Sequence, residues 1–281
     1  MSVTGNGLSV WQLVELARHP DRPYAIDYIR RLAPDFVELH GDRLSGDDPA
    51  LMAGVGTWRG RTVTFLGHQK GRNLHDRVAR NWGMMHPEGY RKAIRLAQQA
   101  AKFGFPIVSL IDTPGAYPGA GAEERGIAAA IAYAIMEWFS ISSPIVAAVI
   151  GEGGSGGALG MGVADRVLML ENSIYSVASP EAAASIVWRD NSRKVEAAEQ
   201  LQLTSRDLLA MGVVEEIVPE PAGGAHLDHE ESARLLEAAL WSNLEPLLEQ
   251  PSELRLQHRY ERFRYIDSLI RAEPHFGPKV E

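Results

Sequence analysis

Cysteine is absent from the 281 residues. That excludes disulfides, thiolate zinc sites and cysteine nucleophiles. A long basic run is also missing, and the net charge is −8. This balance argues against nucleic-acid binding as the main activity. No apolar run reaches the span of a bilayer, and no basic, apolar-cored leader opens the chain, so no membrane role and a cytoplasmic location are expected. The phosphate-loop string GxxxxGK[ST] occurs nowhere. Asp112-Thr-Pro-Gly115, which resembles the metal-contacting strand end of nucleotide triphosphatases, therefore carries no such assignment. What remains is ordinary for a globular protein: 45% hydrophobic and 23% charged residues.

Glycine, by contrast, is concentrated. Residues 146–170 read VAAVIGEGGSGGALGMGVADRVLML. An apolar run stops at Gly151, glycines and Ser155 follow, then a small-residue helical segment, then a second apolar run. The pattern predicts strand, glycine turn, helix, strand. Glycines before a helix bare the backbone N–H groups, and bare N–H groups at a helix start bind negative charge. That charge is a phosphate or an oxyanion formed during reaction. Two short patterns compete here. Gly151-x-Gly153-x-x-Gly156 is a dinucleotide fingerprint, with Glu171 downstream as the acidic partner. Gly153-x-Ser155-x-Gly157 is a nucleophile-elbow string, followed by Asp165 and His226. The plain alternative is that the glycines only permit close helix–strand packing.

A second loop of the same kind lies one unit earlier. Pro106–Asp112 is an apolar run, Thr113–Gly121 (TPGAYPGAG) is a turn, and Glu123 and Glu124 open an Ala-rich helix. Two such loops at equivalent strand ends predict one site built from both. Elsewhere the patterns predict two short helices in residues 10–32 broken by Pro20 and Pro23, and a strand at Thr62–Gly67. A basic loop, His68–Asn73, follows, and then a helix from Pro87 through Phe103. Further on come a strand at Ile174–Ala178, a helix begun by Ser179-Pro180-Glu181 and a capped helix after Thr204. Val213–Val218 is a strand, and residues 228–272 form two helices split by Pro251. Residues 1–8 read as a frayed tail. Alternating strands and helices predict a mostly parallel sheet.

Several longer strings carry more information than either short pattern. ELHGDR (38–43), GHQKGR (67–72), IDTPGAYPG with GAEERG (111–126), IGEGGSGGALG (150–160), YSVASPEAAASI (175–186) and EPAGGAH (220–226) occur in order. Together they make the chain strongly resemble the alpha-subunit family of bacterial acetyl-CoA carboxylase carboxyltransferases. The resemblance implies an α/β crotonase (ClpP-like) fold of repeated β-β-α units. It places an N-terminal helical segment at 1–35, a carboxyltransferase domain at 36–227 and C-terminal helices at 228–281. It implies transfer of a carboxyl group from carboxybiotin, held on a biotin carboxyl carrier protein and not on this chain, to acetyl-CoA. The product is malonyl-CoA, for fatty acid synthesis. A malonyl-thioester decarboxylase subunit of the same fold is the alternative, and GAEERG and EPAGGAH favour the first.

By the same resemblance the partners are biotin carboxylase and a beta subunit with a four-cysteine zinc ribbon, in an α2β2 assembly. ATP and nucleotide binding go with that assembly. A chain without cysteine is not that beta subunit, and no metal is expected on it. Gly156 and Gly157 supply the N–H pair for the biotin ureido oxygen, and Gly115 and Ala116 shape the same pocket. Lys70 and Arg72 are candidates for the CoA phosphates, against the plain reading of a solvated basic loop. Backbone donors need no titratable partner, which fits loops rich in glycine without a Ser/His/Asp set beside them.

Overall fold

The computed structural model of the chain describes residues 7–272, with side chains through residue 266. Most of the tail expected over residues 1–8 lies outside the described residues, as do side chains at the end of the last helix. The chain opens with α1 (Val10–Ala17) and α2 (Ala25–Leu32), separated at the prolines as expected. Strands β1 (Val37–Glu38), β2 (Leu51–Trp58) and β3 (Arg61–His68) follow, then α3 (Leu74–Ala79) and α4 (Pro87–Phe103). The middle of the chain runs β4 (Ile107–Thr113), α5 (Ala120–Glu124), α6 (Ile127–Trp138), β5 (Ile145–Gly154), α7 (Ser155–Gly162) and β6 (Arg166–Leu170). The rest is β7 (Ile174–Ser176), α8 (Pro180–Trp188), α9 (Lys194–Gln200), α10 (Ser205–Ala210), β8 (Glu216–Val218), α11 (His229–Glu249) and α12 (Ser252–Ala272).

The strands form one sheet in the order β1-β2-β3-β4-β5-β6-β8, with β7 paired to the far end of β5. β1 to β3 are antiparallel, and from β3 onward every neighbour is parallel. The β-β-α unit is complete at β2-β3-α4 and at β6-β7-α8. Between them β4 and β5 each feed a helix directly. Parallel strands covered on both faces read as continuous apolar runs, and β5 sorts its residues with period two. Ala147 and Val149 face α4, α6 and α7, packing with Tyr90, Ile94, Trp138 and Met161. Val146, Ala148 and Ile150 face the opposite layer, with Tyr28 and Ile29 of α2 and Leu236, Leu240 and Leu244 of α11. The core thus runs unbroken across residues 35/36 and 227/228. Helices α2 and α11, from the two ends of the chain, form one of the sheet's two covering layers.

Two boundaries differ from expectation in a way that shapes the site. β5 continues four residues past Ile150, because Glu152, Gly153 and Gly154 pair with Ile174, Tyr175 and Ser176 of β7. Gly151, Gly153 and Gly154 are therefore strand residues, Gly156 and Gly157 already belong to α7, and the turn is compressed into Gly154–Ser155. The Ala-rich helix begins at Ile127, after Gly126 in the left-handed region (φ 78°), and Glu123 and Glu124 close the short α5 instead.

Candidate functional site

Two loops at the carboxyl ends of β4 and β5 touch. A Cβ on Gly157 would lie 2.7 Å from the Ala116 nitrogen and closer still to the Gly115 carbonyl carbon. A Cβ on Gly154 would strike the Pro114 carbonyl. Backbone therefore packs on backbone at these positions, which only glycine permits. The Thr113 hydroxyl tightens the first loop, donating to the Gly115 carbonyl at 2.7 Å and accepting from the Gly115 N–H at 3.2 Å. Gly156 differs: a Cβ there would meet only Ile131 of α6, at an ordinary 3.6 Å.

Helix α7 starts without a cap. Gly154 occupies the N-cap and offers no side chain, so no side-chain oxygen reaches the first-turn N–H groups. Ser9, Asn73, Ser179, Thr204 and Asp228 provide that oxygen for α1, α3, α8, α10 and α11. The N–H groups of Gly156 and Gly157, second and third in α7, are left for an outside acceptor, at the positive end of the helix dipole. Ser155 beside them is exposed and held at φ 51°. The recess below, between Pro114, Gly153, Gly154, Ile174 and Pro180, encloses only about 10 Å³. At the helix start Ser155 is exposed and Gly156 half-buried, whereas Gly157 is buried against the Gly115 loop.

A buried charge network locks the two strand ends together. Glu152, 7% exposed, accepts from Arg18 Nε and Lys70 Nζ, both at 2.7 Å. Lys70 also reaches Asp112 Oδ1 at 2.8 Å, and that oxygen accepts the Glu152 N–H at 2.9 Å. Arg18 continues to Glu181 of α8 at 2.7 Å. Burial works against the Lys70 ammonium, but Asp112 and Glu152 more than offset it and hold its pKa above the ordinary value. Burial likewise opposes the Glu152 carboxylate, and Lys70 and Arg18 prevail, keeping its pKa low. Next to Lys70, His68 is fully buried with neither ring nitrogen hydrogen-bonded, and burial together with the Lys70 charge pushes its pKa down to about 3.

The structure brings Gly115, Ala116, Gly156 and Gly157 together. It places Lys70 in the network just described, and sets Arg72 against Asp27 with its guanidinium over the Tyr24 ring at 5.0 Å. Both cations of the basic loop have partners within the chain. The two short patterns fail on geometry. The dinucleotide fingerprint needs its first glycine at the turn after a strand, and Gly151 lies inside β5. The nucleophile elbow needs a histidine and an acid in reach. Asp165 sits just before β6 on the opposite sheet edge, chelated by Arg259 at 2.8 Å through both oxygens. His226 stacks on His19, ring centroids 4.0 Å apart. Sequence reading missed the network altogether, because its partners lie 40 to 163 positions apart.

Among the described residues there is no group of three or more His, Asp or Glu side chains that could hold a metal ion, and no helix long and apolar enough to cross a membrane.

Comparison with known proteins agrees with this picture. Residues 2–267 match the family model described as acetyl co-enzyme A carboxylase carboxyltransferase-like. The acetyl-coenzyme A carboxylase carboxyl transferase subunit alpha of Sorangium cellulosum is 54% identical over 264 residues, covering 94% of this chain and 83% of that protein. The same subunit of Geobacter sulfurreducens is 51% identical over 265 residues, with the same coverage. Among solved structures, a Pseudomonas malonate decarboxylase hetero-tetramer in complex with coenzyme A superposes with a TM-score of 0.66 at 19% identity, over 88% of this chain and 98% of that one. Transcarboxylase 12S gives a TM-score of 0.61 at 21% identity, over 81% and 44%. These structural likenesses show the fold alone, and it is the expected crotonase fold. The sequence likenesses go further: the chain belongs to the acetyl co-enzyme A carboxylase carboxyltransferase family, in its alpha-subunit branch.

Proposed function

We propose that this chain supplies the biotin-side half of a carboxyltransferase site shared with a beta subunit, moving a carboxyl group from carboxybiotin on a carrier protein to acetyl-CoA to give malonyl-CoA. The observation that carries this reading is the uncapped start of α7 on the carboxyl edge of the sheet. Carboxybiotin, when bound, is the carboxyl donor. The Gly156 and Gly157 N–H groups donate to its ureido oxygen as negative charge grows there, and Gly115 and Ala116 form the wall behind them. Such donors act without reorganisation and without a titratable group. Asp112, Glu152, Lys70 and Arg18 hold the two loops in register.

The site has donors for one anion only, which argues for a second wall from another chain. Beside it α6 exposes Ala128, Ala129, Ala132, Tyr133 and Met136, the last 69% exposed. A contiguous apolar stripe of this kind marks a protein interface, and we assign it to the beta subunit. The decarboxylase alternative has less support, since malonate decarboxylase shares 17–19% identity where the alpha subunits share about half.

The test is malonyl-CoA formation with biotin or its carrier as donor. The purified chain alone is expected to be inactive, and activity is expected on co-expression with a cysteine-containing beta subunit. Tyr133→Lys combined with Met136→Lys should weaken that pairing while leaving the thermal midpoint of the isolated chain unchanged. Robust turnover by the chain alone would sink the shared-site reading.

A further inference from the structure

A cavity of about 440 Å³ lies on the opposite edge of the sheet from the glycine loops. Arg166, which begins β6, and Glu215, just before β8, form one side of it, and α11 and α12 the other. Its carboxylates are already matched. Asp165 is gripped by Arg259 through both oxygens, and Glu215 is held by Arg262. Of the four arginines that line it, Arg166 and Arg255 have no ion pair among the described residues. Arg166 is exposed and makes only a 3.3 Å bond to the Asp165 carbonyl.

Arg255 is 6% exposed. Its terminal nitrogens donate to the carbonyls of Leu247 at 3.0 Å, of Gln250 at 2.6 Å and of Ser142. Its Nε–H is buried with no acceptor. Burial and the neighbouring Arg259 lower its pKa against the pull of Asp165, the response of a cation short of counter-charge. The carboxyl end of α11, whose last carbonyls it caps, offsets about half a charge. A buried donor left unmade is costly and uncommon in native proteins. Exposed His258, bonded to Gln250 at 2.8 Å, also lines the cavity.

We propose that this cavity binds a small phosphorylated ligand, its phosphate or diphosphate group lodged between Arg255 and Arg166. The phosphate oxygens accept from Arg166 and lie against the Arg255 guanidinium, and the anion supplies the charge that the cavity's own carboxylates, committed to Arg259 and Arg262, do not. Guanidinium forks suit phosphate oxygens, and the space exceeds one phosphate, leaving room for a diphosphate or a further moiety. The site is separate from the carboxyltransferase half-site and does not depend on that reading.

Inorganic pyrophosphate is the probe, titrated calorimetrically into the full-length chain. We expect saturable binding at one site. Arg255→Gln and Arg166→Gln should each weaken it by about tenfold or more, the loss of one cationic partner of the anion. Arg166 is exposed and unpaired, so Arg166→Gln should leave the ligand-free thermal midpoint unchanged. It keeps the test decisive if Arg255→Gln disturbs the α11–α12 turn. The proposal is overturned if the wild-type chain takes up no pyrophosphate at millimolar concentration, or if Arg166→Gln binds it as tightly as wild type.

Discussion

At the scale of single residues, the glycine-rich segment separates into two jobs. Gly154 and Gly157 are glycine because another backbone lies where a Cβ would go, so even alanine must push the Pro114–Ala116 loop aside. Gly157→Ala is therefore expected to lower stability by roughly 1–3 kcal/mol, the usual cost of overpacking. It tests packing and says nothing of catalysis. Gly156 has room. Gly156→Val should keep the thermal midpoint but cut carboxyl transfer in the α/β complex by about 10²-fold, because bulk then crowds an N–H pair that charge must approach. Ser155→Ala should retain most of the rate, and a serine-directed fluorophosphonate should not label the protein. Loss of turnover in a folded Ser155→Ala protein would instead make the hydroxyl catalytic.

At the scale of elements, the N-terminal helices are held by charge as much as by apolar contact. Arg22, between α1 and α2, is 2% exposed and chelates Glu220 at 2.7 and 3.0 Å while also donating to the Ile150 carbonyl. Glu220 in turn accepts from Asn172 and from the Ala225 N–H. The EPAGGAH string thus serves as a buried socket for Arg22. Arg22→Met should cost about 3–5 kcal/mol in urea denaturation, since it strands a buried carboxylate. A cost below 1 kcal/mol would mean that Glu220 simply takes up a proton. Local signals made many elements readable in advance. Pro87 at the first position and Gly104 at φ 71° bound α4 where the sequence placed it. Ser179 and Thr204 cap α8 and α10 as read. β2 escaped notice because Gly54 and Gly56 interrupt its apolar pattern, and they do so to let the Phe36–Glu38 segment lie against it. The site's two loops were legible through glycine and proline, whereas the ion pairs beneath them are long-range and leave no local trace.

At the scale of the whole molecule, two buried groups pull stability in opposite directions on the acid side. His68, with a folded pKa of about 3 against 6.5 unfolded, refuses a proton that the unfolded chain binds. Its penalty is absent above about pH 6.5 and grows as the pH falls toward 3, by at most about 1.4 kcal/mol per unit. Asp48, whose burial raises its pKa to about 6 from 3.8, binds a proton more tightly when folded. It therefore adds stability as the pH falls from 6 to 4. The two slopes offset each other across that window. Unfolding free energies at pH 6, 5 and 4 should fall more steeply in Asp48→Asn than in wild type and less steeply in His68→Leu. Parallel curves for all three would remove both groups from the account. The division of β5 has a mechanical meaning as well. Residues 146–149 are clamped between β4 and β6, while 152–154 hold only the three residues of β7 and a single register point on Thr113. The strand is a cantilever: its root is fixed in the core and its tip carries the start of α7. At that tip the ion pairs among Arg18, Glu152, Lys70 and Asp112 do the holding that the sheet does at the root, so the aim of the donor pair is set by charge rather than by the core.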